Sequence, residues 1–453
     1  METIQKLSER IAVALMLVAA VPASAQTSGK TWTLESCLDY ALENNITLKQ
    51  SEITAESSAV DVKTAKSALF PSLSFSTSHS LINRPYQESS STVSGTEILH
   101  SNNSTSYTGN YGLNANWALY SGGANRKSIK QQELNARIAM LDTDATANSI
   151  EESITQTYVQ ILYAAEAVNV SRNTLEVSQA QMERGKQLLE AGSISRADYA
   201  QLQAQVSSDK YQLVTSEATL QDYKLQLKQL LELDQTEEMD LFIPEIGDDD
   251  VLALIPDKET VFEAALGTRP EIESGKLNME MSELNIGIAK AGFLPSLSLS
   301  AGIGTNHTTG TDFTFTQQIR NGWNNSIGLT LSVPIFSNRQ NKSAVEKARL
   351  QYHSSELDLR QAHKDLYQTI ESLWLDATSS QAQFTAAKEQ VESAMTSYEL
   401  VSEQFGQGMK NTVELLTEKN NLLSARQQLL QAKYMAVLNR ALLRFYSGEE
   451  MSL

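Results

Sequence analysis

Residue types able to do acid–base, nucleophilic or metal chemistry are sparse in this chain. Five histidines (79, 100, 307, 353 and 363) include no pair spaced i, i+4, so one helix face cannot offer two imidazoles to zinc. Cys37 is the single cysteine and can form neither an intramolecular disulfide nor a cysteine-rich metal centre. No phosphate-binding G-x-x-x-x-G-K loop, G-x-S-x-G elbow or G-x-G-x-x-G fingerprint occurs. The sequence therefore points to no catalytic residue, no metal and no cofactor. What stands out instead is charge placed just after glycine turns. Asp198 follows Gly192 by six residues, and Lys410 and Glu414 follow Gly408 by two and six. Singly, each reads as a solvated turn residue. If the chain repeats about an axis, each becomes a ring of charge of the kind that sorts ions at a constriction.

The 453 residues carry 36 basic and 54 acidic side chains, a formal charge of −18, which is too acidic for general nucleic-acid binding. The composition, 41% hydrophobic, is not that of a bundle of membrane helices. Lys6 and Arg10 precede the apolar run Ile11 to Val21, and Ala23-Ser24-Ala25 follows with small residues at the −3 and −1 positions of a cleavage site. Residues 1–25 read as a secretory signal peptide, with an apolar stretch too short to span a bilayer.

The elements that must position the charges come from a repeat. Ala65-Lys66-Ser67-Ala68-Leu69-Phe70-Pro71-Ser72-Leu73-Ser74 recurs as Ala289-Lys290-Ala291-Gly292-Phe293-Leu294-Pro295-Ser296-Leu297-Ser298, 224 residues later. Further along, Gly112-Leu113 matches Gly328-Leu329 and Leu119-Tyr120-Ser121 matches Ile335-Phe336-Ser337, at an offset of 216. The lost residues fall in the polar segments 81–110 and 304–324, which read as loops. After each shared proline the pattern turns to period two. Leu73 and Phe75 alternate with serines, as do Leu297 and Leu299, and the returning segments alternate at 111–119 and 327–335. Four strands of about ten residues are expected, long enough when tilted to cross a bilayer. From Arg126 to about Glu190 no proline occurs, which predicts a helix roughly 100 Å long at about 1.5 Å per residue. Heptads at Tyr199, Val206, Leu213, Leu220 and Leu227 recur 216 residues on at Leu415, Leu422, Leu429, Ala436 and Leu443, predicting coiled-coil packing.

The organisation read from this pattern is a first repeat over 26–231 (a helix, a hairpin over 71–120 and a helical pair over 126–231) and a second over 260–453. The second holds a hairpin over 295–336 and a helical pair over 340–447, and 232–259, with Asp248-Asp249-Asp250, is the connector. Pro71 and Pro295 suit the point where a helix stops and a strand begins. Gly122 and Gly123 supply backbone freedom at the strand-to-helix exit, where the second copy has Asn338 and Arg339. Unsatisfied backbone groups are costly in hydrocarbon, so a sheet in a bilayer must close. Four strands cannot close; two copies leave almost no lumen, and three give 12 strands with room for a channel.

At this point the chain resembles the TolC-type outer-membrane factors. The resemblance rests on the leader, Trp32-Thr33-Leu34-Glu35, Ala41-Leu42-Glu43-Asn44-Asn45, the two Phe/Leu-Pro-Ser-Leu junctions, the Trp117-Ala118-Leu119-Tyr120-Ser121-Gly122-Gly123 strand exit and the twofold repeat. It implies an α+β membrane protein: a homotrimer whose 12-stranded β-barrel, in contact with outer-membrane lipid of a Gram-negative cell, continues as a periplasmic α-helical coiled-coil barrel. It also implies a non-enzymatic exit duct for efflux or export, coupled through a periplasmic adaptor to an inner-membrane resistance-nodulation-division or ATP-driven transporter. Type I protein or peptide secretion is the alternative cargo, and a pore-less periplasmic coiled-coil scaffold is the rival of a different class. In the family an acid on one helix turn ties to an aromatic hydroxyl and an arginine on the other. Asp198 matches the acid, Lys410 the arginine and Phe405 the aromatic; Glu414 matches a pore-narrowing acid, and Thr417 stands where a second would be. Phe405 has no hydroxyl and lysine lacks the bidentate fork of arginine, so the closing network implied here is weaker.

Overall fold

A computed structural model of the chain describes residues 31–85, 90–94, 97–101, 105–234 and 239–453; the leader expected over 1–25 lies outside them. The elements begin with β1 (Thr31–Trp32), α1 (Leu34–Asn44) and α2 (Ile46–Ser67), then β2 (Ser72–Asn83), β3 (Ser90–Ser94), β4 (Glu97–Ser101) and β5 (Thr105–Ser121). The long helices α3 (Ala124–Glu190) and α4 (Arg196–Leu230) follow. Between the repeats come β6 (Asp240–Leu241), α5 (Asp248–Val251) and α6 (Lys258–Thr268). The second repeat adds α7 (Pro270–Ala291), β7 (Ser296–Thr308), α8 (Phe315–Asn321), β8 (Asn324–Ser332), α9 (Gln340–Gly406) and α10 (Thr412–Tyr446). The chain divides into two compact units, Met1–Ala41 with Thr157–Gly247, and Leu42–Gln156 with Asp248–Leu453.

In the first unit β1 pairs in parallel with β6. The Tyr158 hydroxyl donates to the Phe242 carbonyl at 2.5 Å, and Phe242 N–H donates to the Trp32 carbonyl at 2.9 Å. Burial, then the neighbouring Cys37, pushes the Tyr158 phenol up to about 12. Cys37 itself is buried. The seam between α3 and α4 differs from the expected heptad. Tyr199, Val206, Leu213 and Leu220 are only half-buried, while Leu202, Asp209 and Ser216 are buried. The reason is hydrogen bonding: Ser171 meets Ser216 at 3.2 Å, and Ser178 and Gln205 both donate to Asp209. Leu227 of the expected heptad is buried, as is Leu202, and counting apolar residues alone misses that the other two buried members, Asp209 and Ser216, are polar and paired.

The second unit holds the membrane-type sheet, all antiparallel, in the order β2-β5-β7-β8. Each hairpin starts from a helix that ends just before proline. The two hairpins share one register under the repeat: Phe75 faces Leu113 as Leu299 faces Leu329, and Thr77 faces Tyr111 as Ala301 faces Ile327. The segments 81–110 and 304–324, read as loops, are corrected in part. β2 runs to Asn83, β5 begins at Thr105, β7 runs to Thr308, and α8 occupies Phe315–Asn321 behind a Thr314–Gln317 capping box. Polar residues on both faces of the strand ends hide the alternation that marks the strand middles. Among the described residues no helix is long and apolar enough to cross a membrane.

Leu134 and Ile138 of α3 pack on Leu277 of α7. Ser282 of α7 meets Ser355 of α9 at 2.8 Å. Residues of the connector dock on α9, where Gln381 donates to the carbonyls of Val251 and Ala253 at 2.8 Å and Lys388 pairs with Asp248.

Both exits from the sheet use the left-handed backbone. Gly122 and Gly123 have φ of 63° and 79°, and their counterparts Asn338 and Arg339 have 46° and 65°. The second repeat thus keeps the geometry with residues that carry a Cβ. Arg339→Gly is expected to stabilise the protein by about 1 kcal/mol, since a left-handed residue other than glycine costs about 1–2 kcal/mol. Gly122→Ala should destabilise it, because a Cβ there would lie 2.8 Å from the Ala291 carbonyl oxygen. Thermal unfolding of the two variants checks this; a lower melting temperature for Arg339→Gly would contradict it.

Candidate functional site: the helix turns and the open sheet

The first helix turn belongs to the first unit. α3 ends as Gly192 takes φ of 72°, with Gly192 N–H donating to Leu189 O at 3.0 Å and Ser193 N–H to Leu188 O at 2.8 Å. This wraps the last carbonyls of α3 in a left-handed cap. Ser195 then caps α4. Its hydroxyl accepts from Asp198 N–H at 3.1 Å, while the Asp198 carboxylate accepts from Ser195 N–H at 3.1 Å and its hydroxyl at 2.7 Å. The reciprocal box satisfies two otherwise unpaired helix groups.

The second turn, in the second unit, is built the same way. Gly408 has φ of 75°, and Met409 N–H donates to Gln404 O at 2.9 Å. Asn411 caps α10: its side chain accepts from Glu414 N–H at 2.9 Å, and Asn411 N–H donates to Glu414 Oε2 at 3.1 Å. The other carboxylate oxygen, Glu414 Oε1, takes Lys410 Nζ at 2.6 Å. Lys410 first, then the Asn411 backbone, holds the Glu414 carboxyl below the usual carboxylate range. That stabilisation is present above the ordinary carboxylate pKa and is lost as pH falls through the lowered value.

The structure thus brings Lys410 and Glu414 together and engages Asp198 with Ser195. Phe405 is buried, at 3% exposure, and so are Thr412 and Leu415 across the turn. The apolar side chains shown at this turn are Met409 and Val413. Asp198 and Glu414 are repeat counterparts, 216 residues apart, and both close capping boxes. The sequence reading missed this role, although Ser195-x-x-Asp198 and Asn411-x-x-Glu414 carry its signature.

The sheet, in the second unit, is a separate candidate site. No Asp, Glu, Lys or Arg occurs in β2, β5, β7 or β8. By register, one face carries Leu73, Phe75, Leu113, Ile303, Ile327, Leu329 and Leu331, and the other carries the serines of β2 with Asn110, Asn114, Asn116, Ser300 and Thr330. The large apolar side chains on the first face are exposed, Ile327 at 83% and Leu329 at 64%. A sheet this oily on one side and uncharged on both is suited to hydrocarbon. Towards its hairpin end, on the apolar face, lies an aromatic group. The Tyr107 hydroxyl meets His79 Nδ1 at 2.8 Å, and His307 packs against Tyr111 and, at 4.8 Å between ring centroids, Phe315. Gly109 leaves room for these rings, since a Cβ there would lie 2.4 Å from His307 Cε1. Such a cluster at one end of the apolar band matches an interfacial girdle.

The model of the outer membrane efflux protein family matches residues 37–232 and 261–449, taking in both helix turns and all four strands. The chain belongs to the outer membrane efflux protein family. Alkaline protease secretion protein AprF of Pseudomonas aeruginosa is 26% identical over 297 residues, covering 65% of this chain and 60% of AprF. Outer membrane protein TolC of Escherichia coli is 22% identical over 328 residues, covering 69% of this chain and 64% of TolC. The matched stretch thus spans less than two thirds of either relative. The Campylobacter jejuni CmeC outer membrane channel has the same fold, with a TM-score of 0.75 at 21% identity, covering 93% of this chain and 87% of CmeC. As a member of this family, the chain is an outer-membrane protein.

Proposed function

We propose that the chain is one protomer of a homotrimeric outer-membrane duct, the passive exit of a tripartite efflux or export system. The observation that carries this is the open, uncharged sheet with one exposed apolar face. In a bilayer it must close with copies of itself, and a 12-stranded closure leaves a lumen lined by serine, asparagine and threonine. The absence of charge on that face also favours a lumen that discriminates little between solutes, so energy and choice of cargo come from partners. Those partners are a periplasmic adaptor and an inner-membrane transporter, of the resistance-nodulation-division or ATP-driven type. The domain plan of two repeats joined by a connector fits this reading. So does a gate at the helix turns formed by Asp198, Phe405, Lys410 and Glu414 with Gly192 and Gly408. The similarity to AprF favours a second cargo, secreted protein, for the same duct.

Crosslinking cells, purifying the protein from the outer membrane and identifying co-purifying inner-membrane proteins by mass spectrometry tests the assignment. A proton-driven pump with its adaptor makes this an efflux duct, and an ATP-driven exporter shifts it towards secretion. Recovery of no transporter would count against the duct and for a scaffold. The gate has its own test. Lys410→Glu removes the partner of Glu414 and sets two acids four residues apart on one turn, an arrangement that repels. Single-channel conductance in a planar bilayer is expected to rise. Unchanged conductance with normal trimer yield would sink the assignment of Lys410 to the gate.

A further inference from the structure

Two imidazoles stand in one row across the sheet. His79 of β2 faces Gly109 of β5, and Gly109 faces His307 of β7. Tyr107 and Tyr111 lie two residues to either side of Gly109 on β5 and so share its face. The four rings close over the glycine, which is buried. His79 stacks on Tyr107 at 5.8 Å between ring centroids and meets Tyr111 edge-on at 5.5 Å, and His307 lies 5.3 Å from Tyr107 and 5.9 Å from Tyr111. The donors inside this box converge. A Cβ on Gly109 would lie 2.8 Å from His307 Nδ1 and 3.1 Å from His79 Nδ1, so the missing side chain is what leaves space between the two nitrogens. The Tyr107 hydroxyl is 2.8 Å from His79 Nδ1. The His307 Nδ1 atom is buried and has no hydrogen-bond partner. A buried nitrogen left so is costly and calls for a ligand or a water. An aromatic girdle at a membrane interface accounts for the rings. It does not account for two imidazole nitrogens turned to one gap.

We propose that His79 Nδ1, His307 Nδ1 and the Tyr107 oxygen bind one divalent transition-metal ion above Gly109, with water in the remaining positions. Imidazole and phenolate together suit zinc and cupric ions, and the cupric ion binds such ligands tightest. The distances allow it. Two donors on adjacent corners of such an ion, each about 2.0–2.1 Å from it, lie about 3 Å apart. Tyr107 and His79 already hold 2.8 Å. The two imidazole nitrogens are less than about 6 Å apart, against about 4 Å when both bind one ion, a difference that small rotations of the two rings close. His79 is already oriented. Its Nε2 lies 3.0 Å from the Thr77 hydroxyl, which can accept the Nε2 proton and leave the lone pair on Nδ1. Metal-binding histidines are held by such a bond on their other nitrogen. On binding, the ion takes the place of the hydroxyl proton between Tyr107 and His79, and that proton leaves to water. The ion clips β2, β5 and β7 together and so joins the two hairpins near their far end. In the duct proposed above this face is turned to lipid, away from the lumen, so the ion is a structural clip and not cargo. The site itself rests only on the sheet.

The test titrates the purified full-length protein, in detergent, stripped with chelator and dialysed, with cupric ion. One ion per chain is expected, with a micromolar or lower dissociation constant, and the electron paramagnetic resonance spectrum should show coupling to two imidazole nitrogens. His79→Gln and His307→Gln should each remove one nitrogen coupling. Each should also weaken binding at least about tenfold, the lower bound for losing even an outer partner of a metal ligand. Tyr107→Phe should keep both nitrogens and weaken binding less. His353→Gln, at an exposed position on α9, is the control and should change nothing. Cupric ion should also raise the melting temperature of the wild type but not of the two histidine variants, because a ligand stabilises the state that binds it. Where a substitution prevents folding, modification of the wild type by diethyl pyrocarbonate decides the matter. Cupric ion should protect His79 and His307, read by peptide mass, and leave His353 reactive. No binding, coupling to a single nitrogen, or equal affinity in the wild type and both histidine variants overturns the proposal. None of these outcomes depends on the trimer, which the native mass of the same sample reports separately.

Discussion

Arg269→Ala is expected to destabilise the second unit by about 3–5 kcal/mol, the range for removing one partner of a buried ion pair. Arg269 is 8% exposed and sits between α6 and α7, where its N–H donates to Ala265 O at 2.9 Å. Its guanidinium reaches Glu152 at 3.2 Å and Glu271 at 3.4 Å, and stacks 4.2 Å from the Tyr446 ring. One side chain therefore ties α3, α7 and the end of α10. Burial raises the Glu152 carboxyl above the usual range even with Arg269 lowering it, and burial, then Glu152, pushes the Tyr446 phenol up to about 12. Loss of the cation strands Glu152 in a poorly solvated place. A carboxylate with a raised folded pKa contributes stability fully below its unfolded value and loses it as pH rises through the folded value. The deficit of Arg269→Ala should therefore be larger at pH 8 than at pH 5, and adding Glu152→Gln should recover part of it. Chemical denaturation at the two pH values measures this. A deficit under 1 kcal/mol, or one independent of pH, would contradict the role given to Arg269.

Leu329→Arg should have the second large effect, on assembly more than on folding of the helices. Leu329 lies mid-strand on the apolar face of β8, opposite Leu299 and 64% exposed. An arginine at the bilayer midplane of a barrel costs about 2–4 kcal/mol, and a trimer incurs it three times. Thr330→Arg, one residue on and facing the other side, is the control. Outer-membrane fractionation should show Leu329→Arg largely lost and Thr330→Arg retained. Equal retention would mean that the oily face does not meet lipid.

Much of the fold was legible because repetition and alternation are strong signals. The strand middles, the proline junctions, the 67-residue helices α3 and α9 and the glycines at both helix turns all show in the sequence. Three features escaped it for physical reasons. The α3–α4 seam buries Leu202 and the heptad residue Leu227 together with the hydrogen-bonded Ser171, Ser178, Asp209 and Ser216, and an apolar count cannot see the polar half. The strand ends and α8 lie in segments where Ser, Thr, Asn and Gly outnumber the apolar residues and interrupt the alternation. Arg269 shows no periodicity of its own; its partners lie on α3, α7 and α10, and only folding gathers them. At the helix turns the charges were found by their distance from glycine. Their local partners, Ser195 for Asp198 and Lys410 with Asn411 for Glu414, were not.

The central claim is that three copies of this chain enclose one continuous lumen. Single-particle imaging of the protein purified from outer membrane in detergent tests it most directly. The account predicts particles with a threefold axis running through a closed barrel of 12 strands, four from each chain. A monomer, or a symmetric assembly whose axis passes through packed helices with no lumen, would contradict it.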